Sequence, residues 1–471
     1  MFPGTTIANW LTLHGLVTVV AVLFYVITSH VTHQRRHPSA AIAWMLFILL
    51  LPYLALPAFL TFGSRKLPRP RSAAPTSPPS TRNIDSWAVE TIVALGQPAP
   101  AAYSGLQLHV DGGAAREALL EAIANAQNSI DLCTFMLGRD SLGDTVVEHL
   151  CKQARAGVRV RLLLDGMGRL MAGRPNLTRL TDAGGTVALF VPPLHSPLKG
   201  RTNLRDHRKL VVTDAALPTG RLWCGGRNLA REYFDGAPGE PPWRDLSFDL
   251  RGPLVRQASA LFERDWAFAS GLPLTLPSAV PPAPPAAPEM PSPEHGAQLV
   301  ASGPDQADDT VYSLLVTAAY RARRRMALAT PYFVPDSALL MALCLAARRG
   351  VVVDLLLPAR SNHRLSDLAR SRALRSLAAA GGRIWLAPGM QHAKLAVIDD
   401  TLALAGSANL DSRSLFLNYE LMMAFHQAGD VRRFAAWFDQ ERQTARPYLA
   451  TPPGLMRDLA EGMLLWAAFQ L

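Results

Sequence analysis

The sequence predicts an α/β protein made of two similar halves that form a pseudo-dimer, preceded by an N-terminal hairpin of two transmembrane helices. Three observations predict it. Two long apolar runs are confined to the first 66 residues, strands and helices alternate in the same order twice in the remainder, and a Pro-rich stretch separates the two copies.

The hairpin rests on hydropathy. The 471-residue chain is 49% hydrophobic and 18% charged, which is apolar for a soluble enzyme. Leu11 to Ile27 is interrupted only by Thr12, His14, Gly15 and Thr18, and Ala40 to Phe62 carries no charge. Each run is long enough for roughly 30 Å of hydrocarbon at about 1.5 Å per residue. Pro52 and Pro57 inside the second run are expected to kink it. The first run lacks the basic segment of a signal peptide and a second run comes soon after, so it reads as a span. Arg35 and Arg36 lie between the spans, whereas Arg65, Lys66, Arg69 and Arg71 come after them, which places the long C-terminal part in the cytoplasm.

Composition also limits the partners. The formal charge is +10, so an anionic partner is expected, and phospholipid and nucleic acid both qualify. Cys133, Cys151, Cys224 and Cys344 show neither metal-site spacing nor regular pairing, which fits a reducing compartment. The expected organisation is a hairpin over 1–66, a Pro/Ser-rich tether over 67–90, a first half over 91–271, a Pro-rich linker over 272–295 and a second half over 296–471.

The halves align element by element. In the first, a helical pattern (Ala115 to Ala126) leads to a strand (Ser129 to Phe135), a helix (Leu142 to Ala156) and a strand (Val158 to Leu164). In the second, the same order runs through Asp309 to Ala322, Arg325 to Ala329, Ser337 to Arg349 and Val351 to Leu357. Gly157 and Gly350 supply helix stops, and Gly184-Gly185 and Gly381-Gly382 end the next helix of each half.

Each half then carries His-x-Lys-x4-Asp: His207, Lys209 and Asp214, then His392, Lys394 and Asp399. Both segments read as strands, with His and Lys on one face. One copy would be ordinary; two at equivalent places, each leading to a Gly turn and an Asn (Asn228 and Asn409), point to one composite site. The chemistry needs these residue types. Phosphodiester oxygens repel anionic nucleophiles unless cations such as Lys209 and Lys394 lie against them. An imidazole serves at neutral pH as nucleophile or as proton donor, so two histidines divide the work. A metal site is not indicated, because lysine repels cations and no carboxylate cluster has ligand spacing.

With these motifs, and with Trp44 and Pro52, Trp243-Arg244-Asp245 before Gly252-Pro253, Thr330-Pro331-Tyr332-Phe333-Val334-Pro335-Asp336, and Asn418-Tyr419-Glu420, the chain resembles the phospholipase D superfamily, and within it the bacterial cardiolipin synthases. The resemblance implies two phospholipase D-like α/β/α repeats and no cofactor. It also implies that His207 is the nucleophile and His392 the general acid/base, with Asp245 and Glu420 orienting the histidines. Asn228, Ser407 and Asn409 resemble phosphate-binding residues. Asp214 and Asp399 complete the catalytic motifs but are expected to hold strand and turn rather than touch phosphate. The implied reaction transfers a phosphatidyl group from one phosphatidylglycerol to another, in a bacterial cytoplasmic membrane. Phosphatidylglycerol is thus the expected partner, and nucleic acid is not; the sequence leaves oligomeric state open.

Some details depart from that pattern. Asp206 precedes the first motif where Asn is usual, extra residues within Ala215 to Arg221 lengthen the next turn, and Arg231-Glu232-Tyr233 replaces Asp-Glu-Tyr. The arginines of Arg321 to Arg325 read as a solvated helix end, with lipid phosphate as the other reading. His109, His149, His195, His363 and His426 have no motif context, and Cys224 reads as a small buried residue. Two other activities share this chemistry: a phospholipase in which water is the acceptor, and a nuclease. The hairpin and the lack of a base-stacking aromatic cluster argue against the nuclease.

Overall fold

The computed structural model describes residues 3–31, 38–62, 86–192, 203–237, 239–274, 296–306, 308–458 and 461–462. Outside them lie the basic residues flanking the second apolar run, positions 67–85 of the expected tether, positions 275–295 of the expected linker, and His195. The helices of residues 3–62 belong to one compact unit and the two large sheets to another.

In the helical unit, Pro3–Val31 is a continuous helix, whereas the second apolar run is two helices, Pro38–Leu50 and Pro52–Phe62. The break at Leu51 is where Pro52 has no N–H to return to Ile48; Pro57, also expected to kink the run, stays inside the last helix. Ala21, Tyr25, Ile48, Ala55 and Phe59 form a small core, with the Phe59 ring 5.0 Å from Tyr25 and 5.3 Å from Trp44. Among the described residues no helix is long and apolar enough to cross a membrane. The break leaves pieces of 13 and 11 residues, each short of the roughly 30 Å hydrocarbon thickness.

The other unit contains the repeat. Its first sheet runs Ser104–His109, Ser247–Arg251, Arg221–Gly225, Leu210–Thr213, Ser129–Thr134, Arg159–Asp165, Thr186–Phe190. The second contains the matching order: Gly296–Ser302, Asn418–Phe425, Leu402–Gly406, Leu395–Ile398, Arg325–Ala329, Val352–Pro358, Arg383–Ala387. In both, the last three strands are mutually parallel and the others antiparallel, so the sheets are mixed. Helices Gly112–Ala124 and Ser141–Arg155 cover the first sheet, and Thr310–Arg321 and Ser337–Arg348 the second, each half around its own aliphatic core. Asp111, Asp140 and Asp336 cap three of these helices by accepting a backbone N–H three residues on. The glycine stops adopt matching left-handed angles, φ 90° at Gly157 and Gly350, and 95° and 97° at Gly184 and Gly381.

The halves are less separate than the sequence suggests. Trp87–Ala94 is a helix crossing the tether boundary expected at residue 90, and its Ala88 and Ile92 sit in the core of the second half. Ala101–Ala102 then pairs with Gly296–Ala297, again in the second sheet. All four cysteines are free thiols, and Cys224 is buried as expected.

Candidate active site

Both motifs lie where the chain enters a central strand. Leu210 pairs with Cys133 near the C-terminal end of Ser129–Thr134, and Leu395 pairs with Ala329 at the end of Arg325–Ala329. The expectation that the whole motif is strand needs correction, because the strands begin only at Leu210 and Leu395. The residue before each histidine turns its side chain onto a backbone N–H two residues on: Asp206 accepts from Arg208 at 3.0 Å and Gln391 from Ala393 at 3.2 Å. Those N–H groups are diverted from any ladder.

The histidine N–H groups are held across the repeat. His207 donates to the Tyr419 carbonyl at 2.9 Å, and His392 to the Arg244 carbonyl at 2.6 Å. The rings make the same cross: His207 Nδ1 is 3.0 Å from Glu420 Oε2, and His392 Nδ1 is 2.6 Å from Asp245 Oδ2. Each histidine thus has its Nδ1 on the acid of the opposite half.

The two acids are supported differently. Glu420 also accepts from Ser407 and Ser414, both at 2.5 Å, and from Asn418 at 3.2 Å. Among the described residues Asp245 accepts besides only from the Leu246 N–H, at 2.7 Å, and it sits so close to Gly226 that a Cβ there would lie 2.3 Å from its Oδ1. A buried arginine pins each backbone. Arg208 donates to the Glu420 carbonyl at 3.1 Å and pairs with Asp265, while Arg227 donates to the Asp245 carbonyl at 2.6 Å.

The cations are close by. Lys209 Nζ donates to the His207 carbonyl at 2.7 Å; Lys394 Nζ donates to the His392 carbonyl and lies 2.7 and 3.0 Å from that ring's nitrogens. Lys209 bears electrostatically on His392, and Lys394 on His207, so the four side chains share one field. Burial lowers Lys209 to about 8 and Lys394 to about 7, in the latter case helped by Lys209. Burial also lowers both histidines, His392 to about 3 with Lys394 adding to the fall. Burial alone would raise Asp245, but His392, Lys394 and Arg227 outweigh it and bring it to about 2. Burial thus makes positive charge on these lysines and histidines costly, and an anion bound beside them would offset that cost.

Asp214 and Asp399 each hold a turn. Asp214 accepts the N–H groups of Gln127, Asn128 and Ser129, and Asp399 those of Arg323, Arg324 and Arg325, both from a left-handed backbone with φ 50°. Each closes the turn into the strand beside its motif. Asn228 donates to the Tyr233 hydroxyl at 2.7 Å, and the buried side-chain oxygens of Asn228 and Asn409 have no hydrogen-bond partner among the described residues.

Several contributors escaped the sequence reading. The ring of Phe135 lies edge-on to His207 at 5.3 Å, and Tyr233 and Trp243 wall His392 at 5.0 and 5.6 Å. The departure at Arg231-Glu232-Tyr233 is a short 3-10 turn that delivers Tyr233 to this wall. The arginines of Arg321 to Arg325 lie at the opposite end of the sheet from the histidines, and Arg325 pairs with Asp354 and Asp439. His109, His149 and His426 are engaged with Asp249, the Thr145 carbonyl and Gln298.

Comparison with known proteins agrees with this geometry. The family described as "Cardiolipin synthase, PLD-like domain" matches residues 119–266 and 315–442, and "Phospholipase_D-nuclease N-terminal" matches 17–64. Cardiolipin synthase A of Pseudomonas putida (strain W619) is 31% identical over 430 residues, 86% of each chain. That of Klebsiella pneumoniae subsp. pneumoniae is 32% identical over 449 residues, 90% of each. Phosphatidylserine synthase of Haemophilus influenzae shares the fold, with a TM-score of 0.58 at 13% identity over 79% of this chain and 97% of its own. The chain belongs to the phospholipase D superfamily, in its cardiolipin synthase family, and is an enzyme of the phosphatidyltransferase class.

Proposed function

We propose that the enzyme makes cardiolipin from two molecules of phosphatidylglycerol through a phosphohistidine. The observation that carries this reading is the crossed pair of imidazoles, each with Nδ1 on a buried carboxylate. His207 Nε2 attacks phosphorus and the bond to the glycerol oxygen breaks as His392 supplies its proton, releasing glycerol. His392 then takes the proton from a hydroxyl of the second phosphatidylglycerol, whose oxygen attacks phosphorus and displaces His207.

Lys209 and Lys394 neutralise the phosphate oxygens. As their charge is taken up by phosphate, the carboxylate of Asp245 dominates the field at His392 and raises its affinity for the proton it must deliver. The Tyr233 hydroxyl can donate as well as accept, so a half-turn of the Asn228 amide keeps that bond and offers an N–H to phosphate. Asn409 completes the phosphate contacts, whereas Ser407, expected among them, gives its hydroxyl proton to Glu420 and acts through that acid. Tyr233 and Trp243 shield His392 from water, which favours a lipid alcohol over hydrolysis.

The helical unit is proposed to sit in the bacterial cytoplasmic membrane, as the hairpin expected from the sequence, with the catalytic unit on the cytoplasmic side. Its outward side chains support this: Leu16, Val19, Leu23, Phe24, Ile27 and Leu50 are all exposed, an apolar surface suited to lipid. The test is incubation of the purified chain with phosphatidylglycerol in mixed micelles and resolution of the products. Cardiolipin with free glycerol is expected; phosphatidic acid alone would overturn the transferase reading in favour of a phospholipase.

A further inference from the structure

The two halves match strand for strand but differ in the helices beyond the second parallel strand. In the second half a single helix, Arg364–Ala379, covers the sheet. In the first, helix Gly166–Met171 stops, the chain turns through left-handed Gly173 (φ 78°) and Arg174 (φ 57°), and Thr178–Asp182 resumes. The interruption leaves a cavity of about 540 Å³, whose lining includes Arg169, Arg174, Asn176, Thr181, Val187 and Leu189.

Its chemistry is two-sided. Among the described residues Arg169 Nε is buried without a hydrogen-bond partner, and none of Arg139, Arg169, Arg174 and Arg179 has a carboxylate within 4.0 Å. Arg139 lies beside the turn, its Cβ 3.6 Å from where a Cβ on Gly173 would stand. Val187 and Leu189, two apart on the sheet's outer strand, form an apolar wall, and Leu170 and Met171 are exposed nearby. Unpaired guanidinium beside apolar surface fits the phosphate and first acyl carbons of a phosphoglyceride.

The cavity is also wired to the reacting histidine. Gly168 packs so closely on the Phe135 carbonyl that a Cβ there would lie 1.8 Å from its oxygen, and the Phe135 ring contacts His207. Asp165 caps the same helix through Met167 and Gly168 and accepts the Asp206 N–H at 2.9 Å with its other oxygen.

We propose that this cavity is a second phospholipid site, in which Arg169 and Arg174 hold the phosphate of an anionic phosphoglyceride near the catalytic end of the first half. The assignment rests on the lipid-transfer reading above. It is tested on the full chain in micelles with two variants, Arg169→Ala/Arg174→Ala and the cavity-filling Thr181→Trp, assayed on phosphatidylglycerol and on a small soluble phosphodiester. Both variants are expected to raise KM for phosphatidylglycerol about tenfold, with kcat within twofold and turnover of the soluble diester unchanged. An unchanged KM in both overturns the proposal.

A reporter, Thr178→Trp, separates this outcome from the fate of the reaction itself. Its fluorescence is expected to shift with short-chain phosphatidylglycerol and not with inorganic phosphate. A shift with inorganic phosphate alone would make the cavity a free-anion site and refute the lipid assignment. If wild type bound lipid there yet formed no cardiolipin, the reaction assignment would fail and the site would stand.

Discussion

The crossed pairing of histidines and acids makes a prediction that chain order would reverse. Asp245→Asn keeps the size of the side chain but removes the charge 2.6 Å from His392 Nδ1, and Glu420→Gln does the same to His207. Unit charges about 4 Å apart at an effective dielectric near 20 interact by about 4 kcal/mol. At about 1.4 kcal/mol per decade, each variant should lose about 10³-fold in turnover of phosphatidylglycerol. The informative difference lies in which step is lost. With a phosphatidyl ester whose leaving group needs no proton, Asp245→Asn should still phosphorylate His207 and accumulate covalent enzyme, because only His392 is impaired. Glu420→Gln should not, whatever the leaving group. Rapid quench and mass measurement of the intact chain read this directly. Covalent enzyme in Glu420→Gln and none in Asp245→Asn would refute the crossed assignment.

The same contacts set other outcomes. His207→Ala should form no covalent intermediate, whereas His392→Ala should trap one slowly; mass spectrometry of the quenched enzyme decides, and the opposite pattern exchanges the roles. Lys209 and Lys394, lowered to about 8 and 7, are partly deprotonated near neutral pH, so inorganic phosphate should bind with proton uptake at pH 7.5. Calorimetry in two buffers of different ionisation enthalpy measures this, and proton release would contradict it. The same lysines have unfolded values near 10.4, so above pH 7 the unfolded chain binds more protons and their contribution makes stability rise with pH to about 10. Asp399→Ala should destabilise by about 2–3 kcal/mol because three backbone N–H groups lose the carboxylate that accepts from them, with kcat near wild type well below Tm. A large loss of kcat at unchanged Tm would instead return Asp399 to the chemistry. Trp243→Ala should admit water to His392 and raise the ratio of phosphatidic acid to cardiolipin several-fold, as lipid chromatography would show.

The range of each interaction decided whether the sequence revealed it or hid it. Val158 to Leu164 and Val351 to Leu357 are aliphatic runs that only buried strands explain, and Gly157 and Gly350 mark turns that a left-handed angle requires. The histidine and lysine pairs were legible because the motif occurs twice at equivalent places, although Asp206 and Gln391 take the N–H groups of Arg208 and Ala393 and the strands begin only after each lysine. Helix Trp87–Ala94 was hidden by the Pro/Ser-rich composition before it, despite Ala88, Val89 and Ile92 at helical spacing. The crossing was hidden too, since Asp245 lies 147 residues before His392 and Glu420 lies 213 after His207, separations that no local pattern encodes. The aromatic walls were hidden in the same way: Tyr233 and Trp243 stood out only as motif residues and Phe135 not at all, and their places against the histidines depend on tertiary neighbours.

The crossing also sets when the enzyme can first act. Glu420 is made 213 residues after His207, roughly 10–40 s later at about 5–20 residues per second. Until then His207 lacks its carboxylate, and His392 does not yet exist for much of the interval. A nascent first half thus carries a histidine without its acid, and the crossed pair exists only once the strand Asn418–Phe425 has been made.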